Sequence, residues 1–388
     1  MRTAFVVSAL AFIVPALSAP TVVPISKRAG PVVPGSYIVK LKDGLLTKNT
    51  CSQLVEELRA SGSSITYDYG SLMPACALKL TDAALTVIQH MSQVEYIEQD
   101  SVMSLSEHED ELAPLDLASP ATVEHDALVR RTDENCGKKG QGVIIYGIDT
   151  GIYTAHSCFG GRAVFGANFA GDGNNNDGNG HGTHTAATAA CDKYGVATNA
   201  KVIAVKVLGA NGSGSTAGVI AGVQWASDHY KGQGMPAVAT MSLGGLFSQA
   251  VNNAVQSAVN NGLHIAVAAG NDGLPTDLYS PASVQDANTI GAVDSENKKA
   301  SFSNFGSTVD VWALGVNVLS AWIDGPDSSK VLSGTSMSTP RVAGILASAL
   351  SNYGQKTPKQ LSDDLKKNAT PIKNDLLVLP NNKLAVCW

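Results

Sequence analysis

Apolar and polar positions divide the chain into two regions of different texture. From Gly142 onward, short runs of Val, Ile and Ala contain hardly any polar residues. The runs that are predicted to form strands are 143–148, 202–208, 237–243, 263–268, 289–293 and 309–313. Helical patterns lie between several of them, for example at 216–228 and 249–261. Such uniformly apolar strands, alternating with helices, indicate an α/β domain whose parallel sheet carries helices on both faces.

The region before Gly142 shows shorter stretches of alternating apolar and polar residues. Strands are predicted at 36–41, 65–69, 75–80 and 94–102. Helices are predicted over 51–60 and from Thr81, a capping residue, to His90. The order β-α-β-β-α-β is the split ferredoxin-like arrangement. We therefore expect a small α+β domain over residues 36–103.

Composition and charge are those of a large globular protein. Hydrophobic residues make up 44% of the chain and charged residues 15%, which is ample material for a core. The formal net charge of −6 argues against nucleic acid or an anionic membrane as the main partner. After the N-terminus, no apolar run is long enough to cross a bilayer.

The first 19 residues carry the pattern of a secretory signal. Arg2 precedes an apolar run at 4–17, and small residues stand where a signal peptidase cuts. The run is short for a membrane anchor, and Pro15 interrupts it. Secretion makes disulfides possible, but the pairing cannot be read from the sequence. The six cysteines are Cys51, Cys76, Cys136, Cys158, Cys191 and Cys387.

Residues 106–141 are predicted to be an exposed linker between the two regions. Their first part is acidic and contains prolines, and a dibasic pair stands at 130–131. Proteolytic cleavage concentrates in segments of this kind. Two positions for the start of the mature chain stay open, one near Ser106 and one at Thr132. A second dibasic pair, at 27–28, is either a processing site or a solvated pair.

Four polar residues of the second region stand at strand ends or helix starts. Asp149 closes the first strand, and Asn271 follows the strand at 263–268. His181 precedes an Ala-rich helical run, and Ser336 stands in a Gly-Thr-Ser turn before another helical run. Taken singly, each residue could be an ordinary turn former or cap. In parallel sheets, however, functional residues gather at the carboxyl ends of the strands.

These residue types favour nucleophilic catalysis. A serine hydroxyl needs a base that takes its proton as it attacks, and histidine titrates near neutral pH. A carboxylate such as Asp149 would hold the tautomer of that histidine. Other functions of the histidine segment are less favoured, because HExxH, a third metal ligand, GxGxxG and a P-loop lysine are all absent. The segment 172–178 also lacks the glycine and glutamate of a calcium-binding hand.

The order Asp, His, Ser along the chain is the order found in subtilisin. Three segments resemble those of the secreted subtilisin-like serine proteases, in particular the proteinase K-like branch found in fungi. They are Asp-Thr-Gly at 149–151, Asn-Gly-His-Gly-Thr-His at 179–184 and Gly-Thr-Ser-Met-Ser-Thr-Pro at 334–340. Pro340 is expected to lie in the first turn of the helix that begins near Ser336.

The resemblance implies a domain organisation. Residues 1–19 would be the signal peptide, and 142–388 would be the subtilisin-like peptidase domain. Residues 20–105 would be a propeptide, whose inhibitor-like part at 36–103 assists folding and then lies in the cleft. The implied enzyme is a secreted serine endopeptidase that is made as an inactive precursor.

The resemblance also assigns roles to residues. Asp149, His181 and Ser336 would form the catalytic triad, and Asn271 with the Ser336 amide would form the oxyanion hole. The substrate would bind as an added strand. The residues that would contact it are Gly212, Ser213, Gly214, Ser242, Leu243, Gly244, Ala268, Ala269 and Gly270. A small, uncharged pocket wall implies broad cleavage after apolar or aromatic residues.

Catalysis of this kind needs no cofactor, but the resemblance implies a structural calcium ion. By position, its ligands would be the carbonyls of Gln285 and Ala287 and the carboxylate of Asp310, with waters completing the oxygen shell. The alternative is that Asp310 is an ordinary carboxylate at a strand end. We expect a monomer whose partners are protein or peptide substrates and its own propeptide. A catalytically silent homologue that acts as a secreted binding protein is the alternative function.

Overall fold

The computed structural model describes residues 22–44, 50–56, 58, 62–105, 136–372 and 381–388. The predicted signal at 1–19, the dibasic pair at 130–131 and both candidate mature N-termini lie outside the described residues. Among the helices of the described ranges, none combines the length and the apolar character that a bilayer-spanning helix needs.

The first region has the predicted ferredoxin-like arrangement. Its elements are β1 (Ile25–Ser26), β2 (Val32–Leu41), α1 (Thr50–Glu56), β3 (Ser64–Asp68), β4 (Ala75–Lys79), α2 (Asp82–Gln89) and β5 (Val94–Ser104). The strands are ordered β1-β5-β2-β4-β3, and only the added strand β1 pairs in parallel. Thr81 caps α2 as predicted, since its hydroxyl accepts a hydrogen bond from the Ala84 amide at 3.3 Å. The prediction of a small α+β domain is confirmed.

A small apolar core and one disulfide hold together this first region, which the family resemblance marks as an inhibitor domain. α1 and α2 pack against the sheet, where Leu54, Ile88 and Ile97 are buried. The Cys51–Cys76 disulfide joins α1 to β4 inside that core. Because a domain of about 70 residues buries less surface than a large one, a covalent cross-link supplies a larger share of its stability.

The second region is built around one large sheet. The strands of this region are β6 (Ile144–Asp149), β7 (Ala163–Asn168), β8 (Lys201–Lys206), β9 (Ser213–Ser215), β10 (Ala237–Met241), β11 (Gly245–Leu246), β12 (His264–Ala268), β13 (Tyr279–Ser280), β14 (Asn288–Val293), β15 (Val309–Leu314), β16 (Val318–Ala321), β17 (Ser329–Leu332), β18 (Thr370–Pro371) and β19 (Lys383–Leu384). Of these, β9 pairs with β5 instead of the large sheet, and β11 with β13 and β16 with β17 form two small separate sheets. Its helices are α3 (His181–Ala190), α4 (Thr216–Gln233), α5 (Gln249–Asn260), α6 (Thr335–Tyr353) and α7 (Pro358–Asn368). The central strands run parallel in the order β7-β8-β6-β10-β12-β14-β15, and β19 and β18 extend the edge beyond β15.

The six predicted strands of the second region are confirmed, whereas edge strand β7 and seven short strands of two to four residues were missed. β7 lies at the edge of the sheet, and its residues are only partly buried. An edge strand has one neighbour and one open side, so it does not need the uniformly apolar sequence that marks a central strand. The sequence Ala-Val-Phe-Gly-Ala-Asn therefore carried no such signal.

Alternate residues of the central strand β6 face two separate cores. Tyr146 and Ile148 pack in the cluster that contains Val219 of α4. Ile145 packs on the opposite side, in the cluster that contains Leu346 of α6. Since side chains alternate along a strand, the sheet is covered by helices on both faces, as predicted.

Two further disulfides lie in the second region, which the family resemblance marks as a peptidase domain. Cys136 is bonded to Cys387, which joins the first described residue of this domain to its C-terminal end. Cys158 is bonded to Cys191, which follows α3. With Cys51–Cys76, these bonds leave no free cysteine in the described part of the chain. The pairing had stayed open at the level of sequence.

The inhibitor domain docks through two carboxylates that face helix N-termini. Glu98 accepts hydrogen bonds from the Ser248 hydroxyl and from the Ala250 amide, the latter at 3.2 Å, at the start of α5. Asp100 accepts one from the Ala217 amide at 3.0 Å, at the start of α4. The amides and dipole of a helix N-terminus favour negative charge, so both carboxylates stabilise the docked arrangement.

The dibasic pair at 27–28 is not a simple solvated pair. The Arg28 guanidinium donates to Glu98 at 3.2 Å and to the carbonyls of Leu246 and Phe247. Its side chain is 7% exposed. The neighbouring Lys27 is exposed. Arg28 therefore contacts both domains at their boundary.

Candidate active site

A hydrogen-bonded pair of side chains lies at the switch point of the sheet. Asp149 is the last residue of β6, from which the strand order runs outward in both directions, and His181 is the first residue of α3. Both side chains are buried, and His181 Nδ1 lies 2.7 Å from Asp149 Oδ1. Because a carboxylate can only accept, Nδ1 carries the ring proton. The other ring nitrogen, Nε2, is then the basic one.

Other donors fix the orientation of the Asp149 carboxylate. The Thr150 amide donates to Oδ1 at 2.7 Å, and the Thr185 hydroxyl donates to Oδ2 at 3.3 Å. Thr185 lies one turn after His181 on α3. The carboxylate therefore cannot rotate without breaking contacts to its own strand and to the histidine helix.

Ser336 is the second residue of α6, which packs against α3. Its hydroxyl donates to the Ser242 carbonyl at 3.3 Å. The Ser242 hydroxyl donates back to the Ser336 carbonyl at 3.0 Å. These reciprocal bonds hold the serine against the segment that follows β10, at the amino end of a helix where negative charge is favoured.

The expected place of Pro340 is corrected by one turn. It is the sixth residue of α6 and lies inside the helix rather than in its first turn. Since proline has no N–H, the Ser336 carbonyl four residues earlier loses its usual helical donor. That carbonyl is the one that accepts from Ser242. Pro340 thus frees a group that ties Ser336 to the cleft.

Asn271 extends from the loop after β12 to the start of α6. Its Oδ1 accepts from the amide and the hydroxyl of Thr335, both at 2.8 Å. Because an amide N–H only donates, the atom that faces it must be the oxygen, which settles the orientation of the side chain. Nδ2 is buried and has no hydrogen-bond partner among the described residues. A buried donor of this kind, next to the residue before Ser336, can stabilise an oxyanion.

Asn304 supports this loop and was missed by the sequence analysis. Its Oδ1 accepts from the amides of Asp272 and Leu274, and its Nδ2 donates to the Ala269 carbonyl at 2.9 Å. A side chain at Gly270, where φ is +101°, would lie 2.3 Å from that Nδ2. Glycine is therefore required there, and Asn304 shapes the loop that presents Asn271. No local sequence signal connects residues so far apart in the chain.

Asp177 also belongs to the site and was missed. Its carboxylate is buried and accepts from Thr150 Oγ1 at 2.9 Å, from the Gly180 amide at 2.8 Å and from the Thr183 amide at 2.9 Å. Gly180 caps α3 without a side chain of its own, so Asp177 supplies the cap. It joins the end of the Asp149 strand to the start of the His181 helix. The only sequence signal that could have pointed to Asp177 was its position four residues before His181.

His184 does not form a metal pair with His181. Its Nε2 lies 3.1 Å from the carbonyls of Val318 and Lys330. Since both are acceptors, Nε2 carries a proton, and burial lowers the pKa of His184 to about 3. In the described ranges, no group of three or more His, Cys, Asp or Glu side chains could hold a metal ion.

The end of β5 lies between the two segments that were predicted to bind substrate. Met103 pairs with Gly214 in an antiparallel ladder with β9, and the Leu105 amide donates to the Gly212 carbonyl at 3.0 Å. On the other side, Ser104 and Gly244 exchange hydrogen bonds at 3.2 and 3.4 Å. The two edges therefore accept an extended peptide between them.

A cavity of about 330 Å³ continues from this strand to Ser336. Its peptidase wall includes the segments 242–244 and 268–270 as well as Thr335. Its other wall includes Ser104 and Leu105 of the inhibitor domain. All the predicted substrate-contacting residues thus either line this cavity or pair with the strand that leads into it.

The donor set around Asp310 does not fit a calcium ion as it stands. The Thr289 amide donates to Asp310 Oδ2 at 2.9 Å, and Ala287 lies two residues before it. Gln285 is exposed in the preceding turn. The ammonium group of Lys366 lies 3.1 Å from Asp310 Oδ1. A fixed positive charge on the only predicted carboxylate ligand opposes a second cation.

Comparison with protein families places the chain. Residues 140–383 match the model of the subtilase family, and residues 36–106 match that of peptidase inhibitor I9. The chain belongs to the subtilase family. It is a subtilisin-like serine protease with an inhibitor-type propeptide, as the sequence segments had indicated.

Individual relatives agree with this assignment. The cuticle-degrading protease of Metarhizium anisopliae is 39% identical over 391 residues, covering 96% of both chains. Proteinase T of Parengyodontium album is 47% identical over 264 residues, covering 68% of this chain and 88% of that protein. The crystal structure of a cold adapted subtilisin-like serine proteinase is 39% identical with a TM-score of 0.61, covering 74% of this chain and 97% of that one. The subtilisin-like fold is therefore confirmed.

Proposed function

We propose that this protein is a secreted endopeptidase that hydrolyses peptide bonds through an acyl-enzyme, with Asp149, His181 and Ser336 as its triad. One observation carries the proposal: the end of strand β5 lies in an extended conformation between two edges of a cleft that leads to Ser336. A substrate in that place presents its backbone to the serine. Secretion is inferred from the signal pattern at 1–19.

In the acylation step, Ser336 Oγ attacks the carbonyl carbon of the substrate and its proton passes to His181 Nε2. Asp149 stabilises the imidazolium that forms, because its Oδ1 already accepts from Nδ1 at 2.7 Å. The carbonyl oxygen becomes an oxyanion. It accepts hydrogen bonds from Asn271 Nδ2 and from the Ser336 amide.

The intermediate collapses when His181 returns its proton to the leaving amine. The C–N bond breaks, and the new N-terminus leaves while the acyl group stays as an ester on Ser336. Water then attacks the ester carbonyl, again with His181 as the base, and releases the carboxyl product. No cofactor takes part in any of these steps.

The substrate preference follows from the walls of the cleft. Ala268, Ala269 and Gly270 present small, uncharged surfaces toward the cavity. Walls of this kind bind apolar or aromatic side chains. Asp272 adds one carboxylate to the lining of the cavity. The edges at 212–214 and 242–244 bind the backbone, which all substrates share. We therefore propose broad cleavage with an apolar or aromatic preference.

The propeptide is proposed to be cut from the enzyme and to stay in the cleft as its inhibitor until it is degraded. Ser104 pairs with Gly244, two residues after Ser242. The Ser242 carbonyl is the group to which Ser336 Oγ donates. Because the described strand leads into this cleft as far as Leu105, we propose self-cleavage near Ser106 rather than before Thr132.

The test compares the full-length chain with its Ser336→Ala variant. The native chain should hydrolyse casein, lose this activity to a sulfonyl fluoride and yield a product that begins near Ser106 rather than at Thr132. Ser336→Ala should stay at full length and lose roughly 10⁶-fold in turnover, the size known for a triad serine in this mechanism.

A matched control is Ser338→Ala, two residues further along α6, whose hydroxyl donates only to the Thr335 carbonyl. This variant should remain active and process itself. Activity that survives in Ser336→Ala would contradict the assigned nucleophile. A native chain that never hydrolyses casein would favour the silent binding protein.

A further inference from the structure

An ion pair joins an edge of the peptidase sheet to the last helix. Asp310 on β15 is 7% exposed, and Lys366 on α7 places its Nζ 3.1 Å from Asp310 Oδ1. Asp310 Oδ2 accepts from the Thr289 amide at 2.9 Å. Each carboxylate oxygen therefore has a donor that the protein itself supplies.

Lys366 is held in position by the packing of its helix. α7 begins at a capping box in which Thr357 and Gln360 bond each other reciprocally. Leu361 and Leu365 on the inner face of the same helix are buried. The Lys366 carbonyl accepts from Lys383 Nζ at 2.8 Å. The ammonium group thus reaches Asp310 from a helix with a defined end and a packed face.

Charge decides which cation this place can hold. Asp310 brings one negative charge, and the other predicted ligands, at Gln285 and Ala287, are neutral backbone carbonyls. The positive charge of Lys366 already compensates the negative charge of the Asp310 carboxylate. A calcium ion would add two positive charges within a few ångströms of an ammonium group, which is unfavourable even at high effective dielectric.

We infer that the Lys366 ammonium group stands in for the calcium ion that the family resemblance implies at Asp310. The lysine gives the buried carboxylate a cation through a covalently attached side chain, so this edge of the sheet is stable at any calcium concentration. Calcium should stabilise the protein through Asp310 only when Lys366 is removed.

The experiment measures thermal unfolding of the full-length chain in EDTA and in millimolar calcium chloride. All proteins carry Ser336→Ala, which prevents self-digestion. The parent and its Asp310→Asn variant should respond to calcium equally. Lys366→Met should unfold at least about 2 °C lower in EDTA, because it leaves the carboxylate uncompensated. Calcium should restore that loss.

Two further variants make the result specific. Lys367→Met removes an exposed lysine from the same helix and should unfold like the parent. Lys366→Met combined with Asp310→Asn should lose the calcium response that Lys366→Met alone acquires. The inference is overturned if the parent responds to calcium and Asp310→Asn abolishes that response. It is also overturned if Lys366→Met gains no calcium response.

Discussion

The inhibitor domain and the peptidase domain complete their cores in different ways. The peptidase sheet buries apolar residues on both faces beneath its own helices. The inhibitor sheet covers one face with α1 and α2, whereas Ile38, Tyr69 and Met73 lie in the same cluster as Val219 of the peptidase. The Tyr69 hydroxyl also donates to the Ala217 carbonyl at 2.8 Å. The small domain therefore completes its core by docking, whereas the large one covers both faces of its sheet with its own helices.

Under the proposed function, this difference explains how one chain can be inhibitor and enzyme in turn. Docking buries apolar surface, satisfies two helix N-termini and fills the substrate cleft at once. Cutting the connecting chain leaves these contacts in place but removes the linkage that kept them intramolecular. The smaller domain then depends on its thin core and on one disulfide. Four experimental changes should sharpen this comparison between the two domains.

Replacing Asn271 by Ala should abolish most chemistry and leave docking unchanged. The oxyanion loses its side-chain donor, so kcat should fall by roughly 10²–10³-fold, with KM almost constant. Steady-state kinetics on a peptide anilide measure this loss. Asn252→Ala, on α5 away from the cleft, is the control. A variant whose KM rises while its kcat is retained would contradict the oxyanion role.

Removing Cys51–Cys76 or Cys158–Cys191 should cost each domain a similar free energy of unfolding. The bonds close loops with sequence separations of 25 and 33 residues. The chain-entropy model gives about 3–4 kcal/mol for either loop. That amount is a large share of the stability of the inhibitor domain and a smaller share for the peptidase.

The measurement uses paired Cys→Ser variants in a Ser336→Ala background. All four tryptophans lie after Gly142, so their fluorescence reports the peptidase domain. Circular dichroism reports the whole chain. Loss of Cys51–Cys76 should separate the two unfolding curves, and loss of Cys158–Cys191 should not. Curves that separate equally in both variants would contradict the comparison.

Acid should weaken the peptidase domain more than the inhibitor domain. Burial lowers the pKa of His184 to about 3 and that of His264 to about 4. Because the unfolded chain binds these protons near pH 6.5 and the folded chain does not, stability is lost as pH falls below 6.5. The loss approaches about 1.4 kcal/mol per pH unit for each histidine.

Thermal unfolding between pH 7 and pH 5 measures this slope in the Ser336→Ala chain. His264→Asn should reduce the slope. His90→Gln in the inhibitor domain should not, because His90 is exposed. A slope that His264→Asn leaves unchanged would exclude His264 as its source.

The docking carboxylates should have the smallest effect. Glu98→Gln or Asp100→Asn removes the charge from a helix N-terminus, which is worth about 0.3–2 kcal/mol. Active peptidase should then appear several-fold sooner after self-cleavage. Glu95→Gln is the matched control, since Glu95 lies on the same strand but pairs with Lys40. Equal lag times in all variants would show that these carboxylates do not hold the domains together.

Much of the fold could be predicted from local patterns. The apolar runs at 202–208 and 237–243 marked central strands because such strands must be buried on both faces. Edge strand β7 escaped, since one side of it is open. The residues at strand ends and helix starts, Asp149 and His181 among them, were also predicted. Their hydrogen bond at 2.7 Å agrees with that prediction.

The sequence alone determined the central strands, the main helices, their order and the candidate catalytic residues, because these follow from periodicity and from short motifs. Only the tertiary structure decided the disulfide pairs, the support from Asp177 and Asn304, and the contact of Lys366 with Asp310. Each of these joins groups that lie apart along the chain or that acquire their partners only when the elements pack. Such contacts depend on three-dimensional distance, which no local pattern encodes.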